Sequence, residues 1–101
     1  MLNASLTINN ATIVGTDKAI NATGLYTVNI NGGNFTGNTC ILNLENNIDT
    51  TISGGTFNGQ NTGIMAKDLT TVTMKDGTID TLIDGIVSDG RASIIVESGK
   101  I

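Results

Sequence analysis

At 101 residues the chain has room for one domain, and its composition is unusual: 39% hydrophobic but only 3% aromatic and 14% charged, with 13 glycines and no Pro, His or Trp. Five basic against nine acidic residues give a net charge of −4, and the bases Lys18, Lys67, Lys75, Arg91 and Lys100 are scattered, so no basic stripe exists to neutralise phosphates and nucleic acid is excluded as a partner. The lack of His removes the commonest general base and metal ligand, and the single Cys40 excludes an internal disulfide or a paired-Cys metal knuckle.

In chain order, a predicted strand segment LTINNATI begins at Leu6 and returns every 22 residues, as VNINGGNF from Val28, TTISGGTF from Thr50, VTMKDGTI from Val72 and IIVESGKI from Ile94. Its third column reads Ile8, Ile30, Ile52, Met74, Val96 and its eighth Ile13, Phe35, Phe57, Ile79, Ile101, apolar throughout. Between them lies a column of small residues, Ala11, Gly33, Gly55, Gly77 and Gly99, which predicts a fixed corner with positive φ. Gly15, Gly37 and Gly59, with Thr81 as the exception, mark the next turn. A second strand region follows, with Ile20, Leu42, Ile64, Ile86 in one column and Ala22, Leu44, Ala66, Ser88 two residues on, the period-2 spacing of a strand. Leu25, Ile48 and Leu69, whose columns wobble by one residue, predict one more buried contact near the end of each repeat. Cys40, with no His or basic cluster beside it, is expected to be a small half-buried filler.

Asn, Thr, Gly and β-branched residues are weak helix formers, and no 3.6-residue apolar stripe persists. A two-layer sandwich does not require an unslipping 22-residue register. The expected fold is therefore all-β: a solenoid of stacked parallel coils, one domain over 1–101, with repeats 5–26, 27–48, 49–70 and 71–92 and a partial coil 93–101. That makes about 4.5 coils rising on the order of 20 Å.

The segments INGGNF (30–35), ISGGTF (52–57) and MKDGTI (74–79) resemble the right-handed parallel β-helix repeats of the pectin-lyase-like superfamily, and especially the Thr/Gly/Asn-rich repeats of bacterial surface and adhesin-like proteins. The resemblance runs from Ser5 to Ile101. It implies a right-handed β-helix and, for many members, polysaccharide lyase or glycoside hydrolase activity. The superfamily's paired-Asp and His-loop patterns are absent from this chain.

The nine carboxylates offer one acidic and basic grouping, Asp84, Asp89 and Arg91, while Glu45, Lys67 and Asp89 form a solvated column of alternating sign. No catalytic constellation, metal site or cofactor is expected. A ligand ladder is expected instead on outward positions of the first strand: Thr7, Asn29, Thr51, Thr73 in one column and Asn9, Asn31, Ser53 in the next. That surface resembles Thr-ladder ice-binding solenoids, but the second column continues as Lys75 and Glu97, which interrupts a uniform lattice. Thr and Asn also suit outward strand positions for purely structural reasons. Ile94, Val96 and Ile101 of the last partial coil are the candidates for self-association. The sequons at Asn3, Asn10, Asn21 and Asn34 carry weight only in a eukaryotic secretory context.

These readings give a structural or adhesive module of a surface protein, extracellular in its parent; Met-Leu-Asn-Ala-Ser lacks signal-peptide character, so if the parent is exported this chain is expected to be a fragment of it. No apolar run is long enough to insert in a membrane. The alternatives are a solenoid that stacks end to end on itself and a carbohydrate-binding or carbohydrate-active fragment, with a cell-surface glycan as partner.

Overall fold

A computed structural model describes residues 5–24, 27–46 and 49–101, and every described element is a β-strand. The first coil holds β1 (Ser5–Ile8), β2 (Thr12–Val14) and β3 (Ile20–Thr23). The second holds β4 (Thr27–Ile30), β5 (Asn34–Gly37) and β6 (Cys40–Glu45), and the third β7 (Asp49–Ile52), β8 (Thr56–Gly59) and β9 (Thr62–Lys67). The fourth holds β10 (Thr71–Met74), β11 (Thr78–Thr81) and β12 (Asp84–Asp89), followed by β13 (Ser93–Val96).

Three parallel sheets run along the stack: β1-β4-β7-β10-β13, β2-β5-β8-β11 and β3-β6-β9-β12. In each sheet Cα partners are 22 residues apart, as in Ile8 with Ile30, Phe35 with Phe57 and Ala66 with Ser88. The chain is thus a parallel β-solenoid of about four turns.

The period makes columns, and the columns make the core. Val28, Ile30, Phe35, Leu42, Leu44, Ile52, Phe57, Ile64, Ala66, Val72 and Met74 are fully buried in one axial cluster. Phe35 and Phe57 stack with ring centroids 4.9 Å apart and planes 18° off parallel, so two neighbouring coils share one aromatic contact. Leu6, Ile8, Ile13, Ile20, Ile86 and Ile94, in the coils towards either end, are half-buried against the same cluster.

Hydrogen bonding continues through the corners. Asn31, Ser53, Lys75 and Glu97 donate their backbone N–H to the carbonyls of Ile8, Ile30, Ile52 and Met74 at 2.8, 2.8, 2.7 and 2.8 Å. Asn34, Thr56, Thr78 and Lys100 donate to Ala11, Gly33, Gly55 and Gly77 at 2.8 to 2.9 Å. The corner glycines Gly33, Gly55, Gly77 and Gly99 have φ between 108° and 126°, a region closed to most side chains. A second left-handed column closes each repeat, at Gly24, Asn46, Asp68 and Gly90, with φ of 60° to 74°. Asn and Asp tolerate that conformation better than other side chains, which is why the column is not all glycine.

One predicted contact is corrected. Leu69 is 49% exposed, and the residue buried at the end of that repeat is Thr70, whose hydroxyl donates to the Lys67 carbonyl at 2.7 Å. In strict 22-residue register Ile48 belongs to the column of Thr70 and Ala92, whereas Leu25 belongs with the exposed Leu69, so the three residues never formed one column. Leu25 and Ile48 lie outside the described residues.

Thr50 interrupts the otherwise apolar inward column Leu6, Val28, Thr50, Val72, Ile94. Its side-chain oxygen is fully buried with no hydrogen-bond partner, and an unsatisfied buried hydroxyl costs about 1–3 kcal/mol. Thr50→Val keeps the branched shape and completes a valine pair above and below. It is expected to raise stability by about 1 kcal/mol, visible as a rise of about 4–8 °C in the thermal midpoint.

Candidate functional site

Among the described residues a shallow groove of about 560 Å³ crosses the coils along the stack. Its floor is the glycine column Gly15, Gly37, Gly59. One wall is formed by Thr36, Asn58 and Asp80, the outward residues of β5, β8 and β11. The other is formed by Thr16, Asn38, Gln60 and Leu82 from the turns that follow. Each coil past the first thus contributes one residue to each wall: Thr36 with Asn38, Asn58 with Gln60, Asp80 with Leu82. At the spacing of parallel strands, three coil steps span about 14 Å.

The glycine floor is dictated from inside. A Cβ on Gly37 would stand 2.9 Å from the Cys40 carbonyl oxygen and 3.1 Å from Ile41 Cα, and one on Gly59 would stand 2.6 Å from the Gly37 carbonyl oxygen and 3.1 Å from the Ile41 side chain. Ile41 is buried beneath this floor. With no side chain at Gly37 or Gly59, the backbone lies directly against Ile41. The groove's walls are free of that constraint, and they carry hydroxyls, amides, one carboxylate and, in the fourth coil, the exposed Leu82.

The predicted ladder lies elsewhere, on the sheet that begins with β1. Thr7, Asn29, Thr51 and Thr73 form an outward row in strict register, exposed at Thr7 and half-buried at the other three. The strands end at Ile8, Ile30 and Ile52, so Asn9, Asn31 and Ser53 follow them as exposed corner residues. There the Asn31 side-chain amide donates to Asn9 Oδ1 at 2.9 Å, a rung of an asparagine ladder. A second rung runs from Asn43 Nδ2 to Asn21 Oδ1 at 2.8 Å.

The two carboxylates of the predicted grouping, Asp84 and Asp89, do not converge. Asp84 and Asp89 are both exposed and stand at opposite ends of β12, five residues and therefore about 16 Å apart along an extended strand. Paired carboxyl groups that act on a glycosidic bond stand about 5 to 9.5 Å apart. Glu45, Lys67 and Asp89 do share a column, but the ion pair among the described residues is between neighbours, Lys18 Nζ to Asp17 Oδ2 at 2.8 Å. The hydrogen bond from Lys18, then one from Thr39, holds the Asp17 carboxyl below its ordinary value. Among the described residues no group of three His, Cys, Asp or Glu side chains is placed to hold a metal ion.

Cys40 is buried more deeply than the half-buried filler expected, at 3% exposure. Burial pushes its thiol up, only partly opposed by the charge on Lys18, which suits an inert packing role. Ile94 is half-buried against the core, while Val96 and Ile101 are exposed at 47% and 60%. Ile52 and Phe57, in the same columns two coils earlier, are fully buried.

The class this geometry defines is the parallel β-solenoid, with a shallow groove of mixed polar and apolar lining running across its coils. No family model, curated protein or solved structure matches the chain.

Proposed function

We propose that the chain is a non-catalytic adhesive module of a cell-surface solenoid, and that its axial groove holds a segment of extended, neutral glycan. The observation that carries this reading is the pair of polar wall residues that recurs in the two middle coils, Thr36 with Asn38 and Asn58 with Gln60, continued by Asp80 opposite Leu82 in the fourth. A linear polymer with a repeating hydrogen-bonding unit matches walls that repeat in the same direction. With Asp80 in the wall and a net charge of −4, acidic polysaccharides are disfavoured. The resemblance of INGGNF, ISGGTF and MKDGTI to pectin-lyase-like and adhesin repeats supports the surface context. The wide separation of Asp84 and Asp89 supports binding without turnover.

Titration of the labelled protein with neutral and acidic tetrasaccharides, followed by NMR, tests the reading. Amide shifts are expected at Thr36, Asn38, Asn58 and Gln60 with neutral sugars, and these should weaken in Asn58→Ala and Gln60→Ala. Absence of shifts at millimolar sugar, or shifts confined to the row Thr7, Asn29, Thr51, Thr73, would contradict it. Polymer turnover that disappears in Asp84→Asn would contradict the non-catalytic part.

A competing reading, favoured by the exposure of Val96 and Ile101, is that a second copy stacks on β13. Light scattering over a concentration series separates the two. Mass growing with concentration supports stacking, and a constant monomer mass removes it.

A further inference from the structure

A second surface, independent of the groove, carries a different inference. The outward face of the five-stranded sheet β1-β4-β7-β10-β13 is defined by alternate residues of four-residue strands. Its two rows are therefore Ser5, Thr27, Asp49, Thr71, Ser93 and Thr7, Asn29, Thr51, Thr73, Ile95. Lys75 and Glu97, which interrupt the lattice when the next column is read from the sequence alone, follow the ends of β10 and β13 and belong to the corner. The strands' own second row contains no Lys, Arg or Glu.

Of the ten positions, seven are Ser or Thr, one is Asn, one is Asp and one is Ile. The rows repeat about every 4.8 Å across the strands and lie about 6.6 Å apart along them. Threonine is stiff at χ1, so hydroxyl and methyl groups sit in a restricted set of positions on each strand. Among the described residues, the side-chain hydrogen bond on this face is Thr27 Oγ1 donating to Ser5 Oγ at 2.7 Å. The central Thr51 and Thr73 hydroxyls are thus left for an outside partner.

We infer that this face adsorbs to ice. A soluble glycan or peptide is periodic along one axis, whereas this array is periodic along two, and the matching partner is a crystal face. Ice presents a fixed lattice of water molecules that both donate and accept, as hydroxyls do. The face has no aromatic ring to stack on the sugar planes of a crystalline polysaccharide, and no cation to bind a mineral or membrane anion. Each contact is weak, but the array is ordered before it binds, so little side-chain freedom is lost on adsorption. Asp49 is the one charged member and the weakest point of the match.

The test uses the whole chain in a nanolitre osmometer, with ice-affinity partitioning as a second readout. Faceted ice crystals and a freezing point depressed below the melting point are expected. Thr73→Lys should abolish both, Asp49→Thr should widen the gap, and Asn58→Ala in the groove should leave it unchanged. Circular dichroism melts of each variant establish that it is folded, and Thr7→Lys in the first coil replaces Thr73→Lys if that variant is not. Round crystals with no gap at any attainable concentration would overturn the inference. So would a gap that survives Thr73→Lys and Thr7→Lys in folded protein, or partitioning onto crystalline cellulose or chitin with none into ice.

Discussion

Phe57→Asp is expected to unfold the protein. The Phe57 ring is fully buried and stacked on Phe35, and truncating a buried Phe to Ala alone costs about 3–5 kcal/mol. Asp also places a carboxylate where, among the described residues, no cation or donor faces it, in a column formed by Ile13, Phe35, Phe57 and Ile79. An unpaired charge there adds a further large penalty. The sum exceeds about 5 kcal/mol, the lower end of the stability of domains of this size. Thr51→Asp, one residue from the buried Ile52 but on the outward face, is expected to change stability by no more than about 0.5 kcal/mol. Thermal melts by circular dichroism compare the two. Equal damage from both would mean that the inward and outward columns are misassigned.

The second large effect belongs to the corner glycines. Gly33 has φ of 123°, and a Cβ there would stand 2.5 Å from the Ala11 carbonyl oxygen, 2.9 Å from the Ala11 nitrogen and 3.0 Å from Phe35 Cζ. Gly33→Ala therefore combines backbone strain of about 1–3 kcal/mol with a clash against backbone of the preceding coil, which cannot move aside without breaking the bond from Asn34 N–H to the Ala11 carbonyl. A loss of at least about 3 kcal/mol is expected. Gly24→Ala is the matched control. Gly24 also has positive φ, at 70°, but a Cβ there meets nothing within 4 Å. Its expected cost is the left-handed strain alone, about 1–2 kcal/mol, and Asn46 and Asp68 already carry side chains in that column. Urea denaturation of the two variants measures the difference. Equal losses would show that packing between coils plays no part in selecting glycine at the corner.

The fold was legible because a solenoid repeats its physics. When each coil packs only on its neighbours, the side chain inside must be apolar at the same place in every coil. Ile8 to Val96 and Ile13 to Ile101 therefore announce themselves at a fixed spacing. The corner glycines were legible for the same reason, since positive φ is needed wherever the chain turns identically. The column Gly24, Asn46, Asp68, Gly90 was harder to see. Three residue types satisfy one left-handed conformation, so identity varies while geometry does not. Leu69 misled because an apolar residue one step out of register looks like a member of a drifting column, while the buried member, Thr70, is polar and satisfied by the Lys67 carbonyl.

The surfaces were less legible than the core. Alternation in the sequence runs past Ile8 into Asn9, whereas the strand stops at Ile8. That single step moves Lys75 and Glu97 off the sheet face and brings Thr27 and Thr71 onto it. The groove follows the Gly15, Gly37, Gly59 column, which the sequence presents only as a turn. The flanking columns did not mark a groove either, because each mixes polar residues with one apolar one: Val14, Thr36, Asn58, Asp80 and Thr16, Asn38, Gln60, Leu82.

Every surface described above depends on one claim, that coils stack in parallel with a 22-residue register. An NMR map of close contacts between backbone protons tests it directly. Contacts between adjacent strands are expected to link Thr51 with Thr73, Asn58 with Asp80 and Ala66 with Ser88, one set in each of the three sheets. Contacts in an antiparallel pattern, or a separation other than 22 residues in any of the three sheets, would contradict the solenoid and with it the groove and the hydroxyl face.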